Sequence, residues 1–190
     1  YPVDVIYNGI DLTVFRPTPS DFRATHGMEG KRIVLGVASV WDNRKGLEDF
    51  FRLASMLDDS YRIVLVGLSD QQLKGLPANV LGIARTNSVQ ELAEIYTAAD
   101  VFVNPTYEDN YPTVNLEAQA CGTPVITYRT GGSPESVEGY GSVVKKGDIA
   151  GLYQAIVSQN AGTVPNFKIF DKVDRYLEYI ALYAETKLCE

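Results

Sequence analysis

Short β-branched apolar runs recur along the chain at 32–38 (RIVLGVA), 61–66 (YRIVLV), 80–84 (VLGIA), 101–104 (VFVN), 124–128 (PVITY) and 141–145 (GSVVK). Continuous apolar runs of this length suit strands covered on both faces rather than strands with one wet side. Between them, apolar residues recur at helical spacing over 46–57, 70–75, 89–99, 113–121 and 148–159. Strand–helix alternation repeated in this way predicts an α/β fold, a doubly wound parallel sheet of six strands with helices on both faces. In such sheets ligands gather outside the carboxyl ends of the strands, so the loops after each strand are the places to look for chemistry.

The two ends depart from the alternation. Residues 1–20 (YPVDVIYNGIDLTVFRPTPS) form an extended run punctuated by Asn8-Gly9 and prolines, and are expected to be a connecting segment on a domain edge. Residues 21–168 hold the alternating domain. At the far end, 169–190 is expected to carry an appended amphipathic helix whose stripe is Phe170, Val173, Tyr176, Leu177, Ile180 and Tyr183. That stripe needs a cover, and the chain itself or a neighbouring copy are the candidates, with some tendency to self-associate expected.

Composition narrows the function. The chain has 190 residues, enough for one well-buried domain, with 45% apolar and 22% charged residues. A formal charge of −7 argues against non-specific nucleic-acid binding, which needs a basic footprint. No apolar run approaches the roughly 20 residues of a membrane span, and the N-terminal stretch is read as lacking a signal peptide. Two cysteines, Cys121 in a predicted helix and Cys189 near the end, make no disulfide framework and suit a reducing compartment. The single histidine, His26, is expected at the surface, and no cluster of metal-ligand residues stands out.

Four strand-end loops carry candidate chemistry. After the first strand, Arg44 and Lys45 precede Gly46 at the start of a helix, which makes an anion site or else a solvated turn. Gly67 after the second strand permits close approach of backbone or ligand, or only a turn. After the fourth strand, EDNYPTVNLEAQACG places Pro112 at the predicted first helical position, leaving the N–H groups of Thr113, Val114 and Asn115 for an anion. Asp109 and Glu117 flank that mouth. A bare phosphate would be repelled by them, whereas a diphosphate with hydroxyl-rich groups on both ends fits: N–H groups take phosphates and carboxylates accept from hydroxyls. A helix with favourable acids near its N-terminus is the plainer alternative. After the fifth strand, Gly131-Gly132 and a predicted cap at Ser133 give either a further backbone-donor loop or a tight turn.

Taken together and in order, these loops resemble the nucleotide-sugar-binding domain of the large retaining glycosyltransferase group often called family 4, one half of the GT-B fold. VIYNGIDLTVFRP is similar to the family's entry into that domain, and RKG to its phosphate-binding lysine loop. VQELAEIYTAADVFVNPT is similar to its base-side helix and strand, DNYPTVNLEAQACGTPVI to its two-acid signature, and TGGSPESV follows in the usual place. The resemblance implies a sugar transferase acting on a UDP- or GDP-sugar with a glycan or glycolipid acceptor, and no required cofactor or metal. It implies catalytic-region roles for Lys45 at the diphosphate, Glu117 at the ribose and Asp109 at the transferred sugar. Arg44, Gly67, Thr113 and Val114 would complete the phosphate and sugar contacts, and Ile83 to Arg85 would line the base pocket.

Two positions depart from the family pattern. The first acid is usually glutamate and is Asp109 here, and the family's arginine falls on Ser39, with Arg44 the candidate to replace its charge. The resemblance also implies a partner half, an N-terminal acceptor-binding domain outside these residues, without which the chain is expected to be inactive. Its expected location is the cytoplasm, the whole enzyme working there or at the cytoplasmic face of the inner membrane. The rival readings are a same-fold sugar-nucleotide epimerase or hydrolase, and a non-catalytic flavodoxin-like binding module.

Overall fold

The computed structural model describes residues 3–137, 141–159 and 171–187. Its strands are β1 Arg32–Val37, β2 Tyr61–Val66, β3 Val80–Ile83, β4 Val101–Asn104, β5 Val125–Tyr128 and β6 Gly141–Val144. Every apolar run of the sequence became a strand. The helices are α1 Phe22–Thr25, α2 Leu47–Met56, α3 Asp70–Leu73, α4 Val89–Ala98, α5 Thr113–Ala120, α6 Ile149–Ser158 and α7 Lys172–Lys187. All strand pairs are parallel, in the order β3-β2-β1-β4-β5-β6. The order reverses between β1 and β4, where Val34 pairs with Val101 and Leu35 with Phe102. Connections leaving those two strands diverge, and a crevice opens at their carboxyl ends.

Helices cover both faces, as continuous apolar strands require. On one face Phe50 and Leu53 of α2 pack with Leu152 and Ile156 of α6 over Ile63, Leu65 and Tyr128. On the other, Ala93, Ile95 and Tyr96 of α4 pack over Leu35, Val64 and Phe102. Gly36, in mid-strand, is explained by Phe50: a Cβ there would stand 2.5 Å from its ring. Arg23 ties α1 to the sheet, donating to the carbonyls of Ala98 and Lys31 and to Asp100, which also accepts from the N–H of Ile33.

The N-terminal segment lies against both α5 and the start of α7. Ile10 is buried with Leu116 and Ala120, and its carbonyl accepts from the N–H of Lys172 at 2.9 Å. Lys172 also pairs with Asp11. The predicted stripe of α7 is solvent-facing: Val173, Tyr176, Leu177, Ile180 and Tyr183 are all exposed. Phe170, the first residue of that stripe, lies outside the described residues. Thus α7 is fastened by its first turn, and the stripe from Val173 to Ile180 is largely exposed. His26 is exposed, as expected, and no described helix is long and apolar enough to cross a membrane.

Phe50 is fully buried and meets Trp41 edge-to-face at 5.5 Å. Phe50→Ala should cost about 3–5 kcal/mol of stability, the range for deleting a buried aromatic ring, measured by urea denaturation.

Candidate active site

The crevice at the β1/β4 switch is a cavity of about 780 Å³. One wall is the loop after β1. There Ala38 approaches β2 so closely that a Cβ at Gly67 would stand 1.7 Å from its carbonyl oxygen, and Gly67 has φ +97. Gly67 is therefore a close-approach glycine, and it lines the cavity. Trp41 follows, its indole N–H donating to the carbonyl of Val66 at 2.9 Å. Asp42 then accepts from the N–H groups of Arg44 and Lys45 at 2.9 and 3.2 Å, capping a single 3-10 turn over Asn43–Lys45. Gly46 closes the turn in the left-handed region, φ +72, with its Cα against the carbonyl of Pro105.

That backbone path aims Lys45 across the crevice. Its ammonium donates to Asp109 at 2.7 Å, with the two side chains 30% and 17% exposed. The pairing joins the residues expected at the diphosphate and at the transferred sugar. Asp109 is held from behind by the loop after β5. Cβ atoms at Gly131 and Gly132 would each stand 1.9 Å from a carbonyl oxygen, of Asp109 and of Asn110 respectively. Only glycine lets these two backbones touch.

The mouth of α5 differs from expectation by one residue. Pro112 is the capping residue, with extended backbone at φ −71 and ψ 112, and the helix begins at Thr113. The N–H of Asn115 donates to the carbonyl of Pro112 at 3.1 Å, so it is not available to a ligand. The N–H groups of Thr113 and Val114 precede the helical ladder, and both residues line the cavity. Ser133 does not cap its turn either: it is buried, and its hydroxyl has no hydrogen-bond partner among the described residues. Beneath the mouth a buried polar chain runs from Asn104 to Asn115 to Ser136, with Gln119 donating to the carbonyls of Asn115 and Ser136.

Glu117 lines the cavity one turn into α5, and accepts from the hydroxyl of Tyr96 at 3.0 Å. Burial raises its pKa, and the Tyr96 hydrogen bond opposes the rise. Burial and the neighbouring Glu117 push the Tyr96 hydroxyl far up, so it remains a donor. Sequence reasoning missed Tyr96, which lies inside the apolar pattern of α4 and reads as core.

Lys45, Gly67, Arg85, Asp109, Thr113, Val114 and Glu117 are brought to one cavity. Arg44 and Ile83 are not among its lining residues. Arg44 folds back onto Asp42, making two hydrogen bonds at 3.1 and 2.9 Å, because the capping carboxylate is the nearest anion to its stem. Ile83 turns its side chain into the core beside α4 and gives its carbonyl to the N–H of Gly67; Ala84 and Thr86 stand with Arg85 at the wall. Ser39 and Trp41 also line the cavity, as does Asn8 of the N-terminal segment. A hydrogen bond from Tyr7 to Glu135 at 2.5 Å and stacking of Tyr7 on Tyr111 at 4.6 Å hold that segment in place.

The sequence profile of the family Glycosyl transferases group 1 matches residues 31–159. The chain belongs to that family. It is 31% identical over 150 residues to the D-inositol 3-phosphate glycosyltransferase of Mycobacterium sp. (strain KMS), an alignment covering 71% of this chain and 34% of that protein. The corresponding protein of Corynebacterium jeikeium (strain K411) is 33% identical over 160 residues, covering 72% of this chain and 38% of its own. The chain thus spans about a third of the length of these curated relatives. Sucrose-phosphate synthase from Thermosynechococcus elongatus superposes with TM-score 0.81 at 26% identity, over 97% of this chain and 53% of that one. Anabaena HepE, solved in complex with UDP, superposes with TM-score 0.82 at 22% identity, over 96% of this chain and 57% of that one. The six-stranded parallel sheet of this chain is the Rossmann-like architecture found in its GT-B neighbours.

Glu117 holds its proton to a higher pH when folded than when unfolded. Ionising it therefore costs stability as pH rises above the ordinary carboxyl value of 4.5, and the full cost is present once pH passes the folded pKa. Glu117→Gln should raise the melting temperature at neutral pH, with the gain shrinking as pH falls toward 4.5. Thermal scans across pH check this.

Proposed function

We propose that this chain is the donor-binding part of a retaining glycosyltransferase that takes a UDP- or GDP-sugar and passes the sugar to a glycan or glycolipid hydroxyl. The observation that carries the reading is the meeting of Lys45, Asp109, the α5 mouth and Glu117 in one cavity at the β1/β4 switch. Family membership supports transfer chemistry, and HepE, solved in complex with UDP-glucose, supports a nucleoside diphosphate in this crevice. Neither favours the epimerase, hydrolase or flavodoxin-like alternatives.

In this reading the bond from the sugar's anomeric carbon to the distal phosphate oxygen breaks, and the diphosphate leaves with the electron pair. Charge building on that oxygen is met by the Lys45 ammonium and by the N–H groups of Thr113 and Val114, fixed donors that need no reorganisation. No resident cofactor is required. Glu117, oriented by Tyr96, accepts from the ribose hydroxyls, and Asp109 accepts from hydroxyls of the sugar. Ala84, Arg85 and Thr86 flank the base. The acceptor hydroxyl, which gains the sugar and loses its proton, is placed on a part of the enzyme beyond this chain. These 190 residues alone are accordingly expected to bind donor and transfer no sugar.

Calorimetric titration with UDP and GDP tests the proposal. Glu117→Ala should weaken binding by about 1.5–3 kcal/mol, the size of hydrogen bonds to a charged group. Lys45→Ala should lower affinity for the diphosphate more than for the nucleoside, since it removes charge and no base contact. Absence of binding by either diphosphate to the parent chain would refute the reading.

A further inference from the structure

Asp49 is the one charged residue in the buried set of the described residues, 2% exposed. It lies on α2, four positions after Lys45, and does not line the crevice. Its Oδ2 accepts from the hydroxyl of Tyr107 at 2.8 Å and from that of Tyr128 at 2.9 Å. Its Oδ1 lies 3.6 Å from the guanidinium of Arg52, which is itself largely exposed. A buried carboxylate is costly to desolvate, and an apolar residue of similar volume would often pack there as stably. The position calls for a reason beyond filling space.

The partners supply one. Tyr128 stands on β5 and is fully buried, so it fixes the carboxylate relative to the sheet. Tyr107 stands on the loop between β4 and α5, two residues before Asp109. The N–H of Tyr107 donates to the carbonyl of Arg44 at 2.6 Å, and the hydroxyl of Thr106 donates to the same carbonyl at 3.2 Å. The contacts form a closed ring. It runs from Lys45 through Gly46 and the first turn of α2 to Asp49, across a hydrogen bond to Tyr107, along the chain to Asp109, and back to Lys45 at 2.7 Å.

We infer that Asp49 is a positioning residue, which through Tyr107 clamps the Lys45 turn to the Asp109 loop and so fixes the spacing of the two groups that face the diphosphate and the sugar. The inference rests on the crevice being the donor site. Asp49 does not line the crevice; with Tyr107 it borders a separate, smaller cavity beside α2. Its effect is geometric: with the clamp released, the fold remains and the two loops move apart.

Two tyrosines that donate to one oxygen give the test its control. Tyr107→Phe removes the bond to the Asp109 loop, whereas Tyr128→Phe removes a bond of similar length to the sheet. Amide exchange of the Tyr107 N–H followed by NMR reads the clamp without any ligand, and titrations with UDP and with uridine read its effect on the site. Tyr107→Phe should speed exchange of that amide and lower UDP affinity, each by about tenfold, the ratio expected of one hydrogen bond to a charged group. Uridine affinity and exchange in β1 and β2 should stay as in the parent. Tyr128→Phe should leave both the Tyr107 amide and UDP affinity unchanged. Asp49→Ala should behave as Tyr107→Phe does, and Asp49→Asn, which still accepts from both hydroxyls, should restore most of the loss. Should Asp49→Ala fail to fold, the two tyrosine variants still decide. Unchanged exchange at Tyr107 in Tyr107→Phe, or equal losses for UDP and uridine, would overturn the inference. A parent chain that binds no UDP would sink the donor-site reading instead, while the amide exchange would still decide the clamp.

Discussion

Parallel pairing of β1 with β4 is the constraint on which the rest of this structure depends. Strands distant in sequence become neighbours there, through Val34 with Val101 and Leu35 with Phe102. The loops that leave their carboxyl ends must then diverge, one toward α2 and one toward α5. Everything in the crevice follows from how those two loops are brought back into contact. Gly46 lies against Pro105, the Arg44 carbonyl accepts from Thr106 and Tyr107, and Lys45 reaches Asp109. Without the switch in strand order the lysine and the acid would stand on opposite sides of a covered sheet.

Two kinds of polar burial serve this arrangement. Under α5, Asn104, Asn115, Gln119 and Ser136 bond to one another and hold the helix mouth at a set height above the sheet. Such a chain tolerates burial because nearly all of its donors and acceptors are matched. Glu117 is the contrary case, a carboxylate whose pKa is raised by burial and which keeps one hydroxyl partner, Tyr96. A group left short of partners in the protein is one that a hydroxyl-rich ligand can satisfy. Stability is given up where binding is needed.

Much of the fold was legible because each strand is buried on both faces and so appears as an unbroken apolar run. Helix positions followed from periodicity, with ends off by a residue or a few, as at Pro112 and in the short α3. Lys45, Asp109 and Glu117 were readable because strand-end loops in a doubly wound sheet converge. What was not readable depends on contacts between residues far apart in sequence. Tyr96 and Asp49 sit on the apolar or capping positions of their helices, and nothing local marks their partners, Glu117 and the pair Tyr107 and Tyr128. Arg44 looked like a phosphate ligand, since spacing cannot show that Asp42 claims its guanidinium. For α7 the period of the stripe was right, but period alone does not say whether a face is covered.

Trp41 carries one more consequence. It is the only tryptophan of the chain, and its indole forms part of the crevice wall, nearly buried and fixed by its N–H to Val66 and by the ring of Phe50. A single rigid indole has one environment, and its emission is free of the averaging that several tryptophans impose. Excited at the red edge, where tyrosines scarcely absorb, this protein contains a built-in optical probe of its own crevice. An aromatic base drawing near the indole would quench it, and a change in wall polarity would shift its colour, with no label attached and no residue replaced.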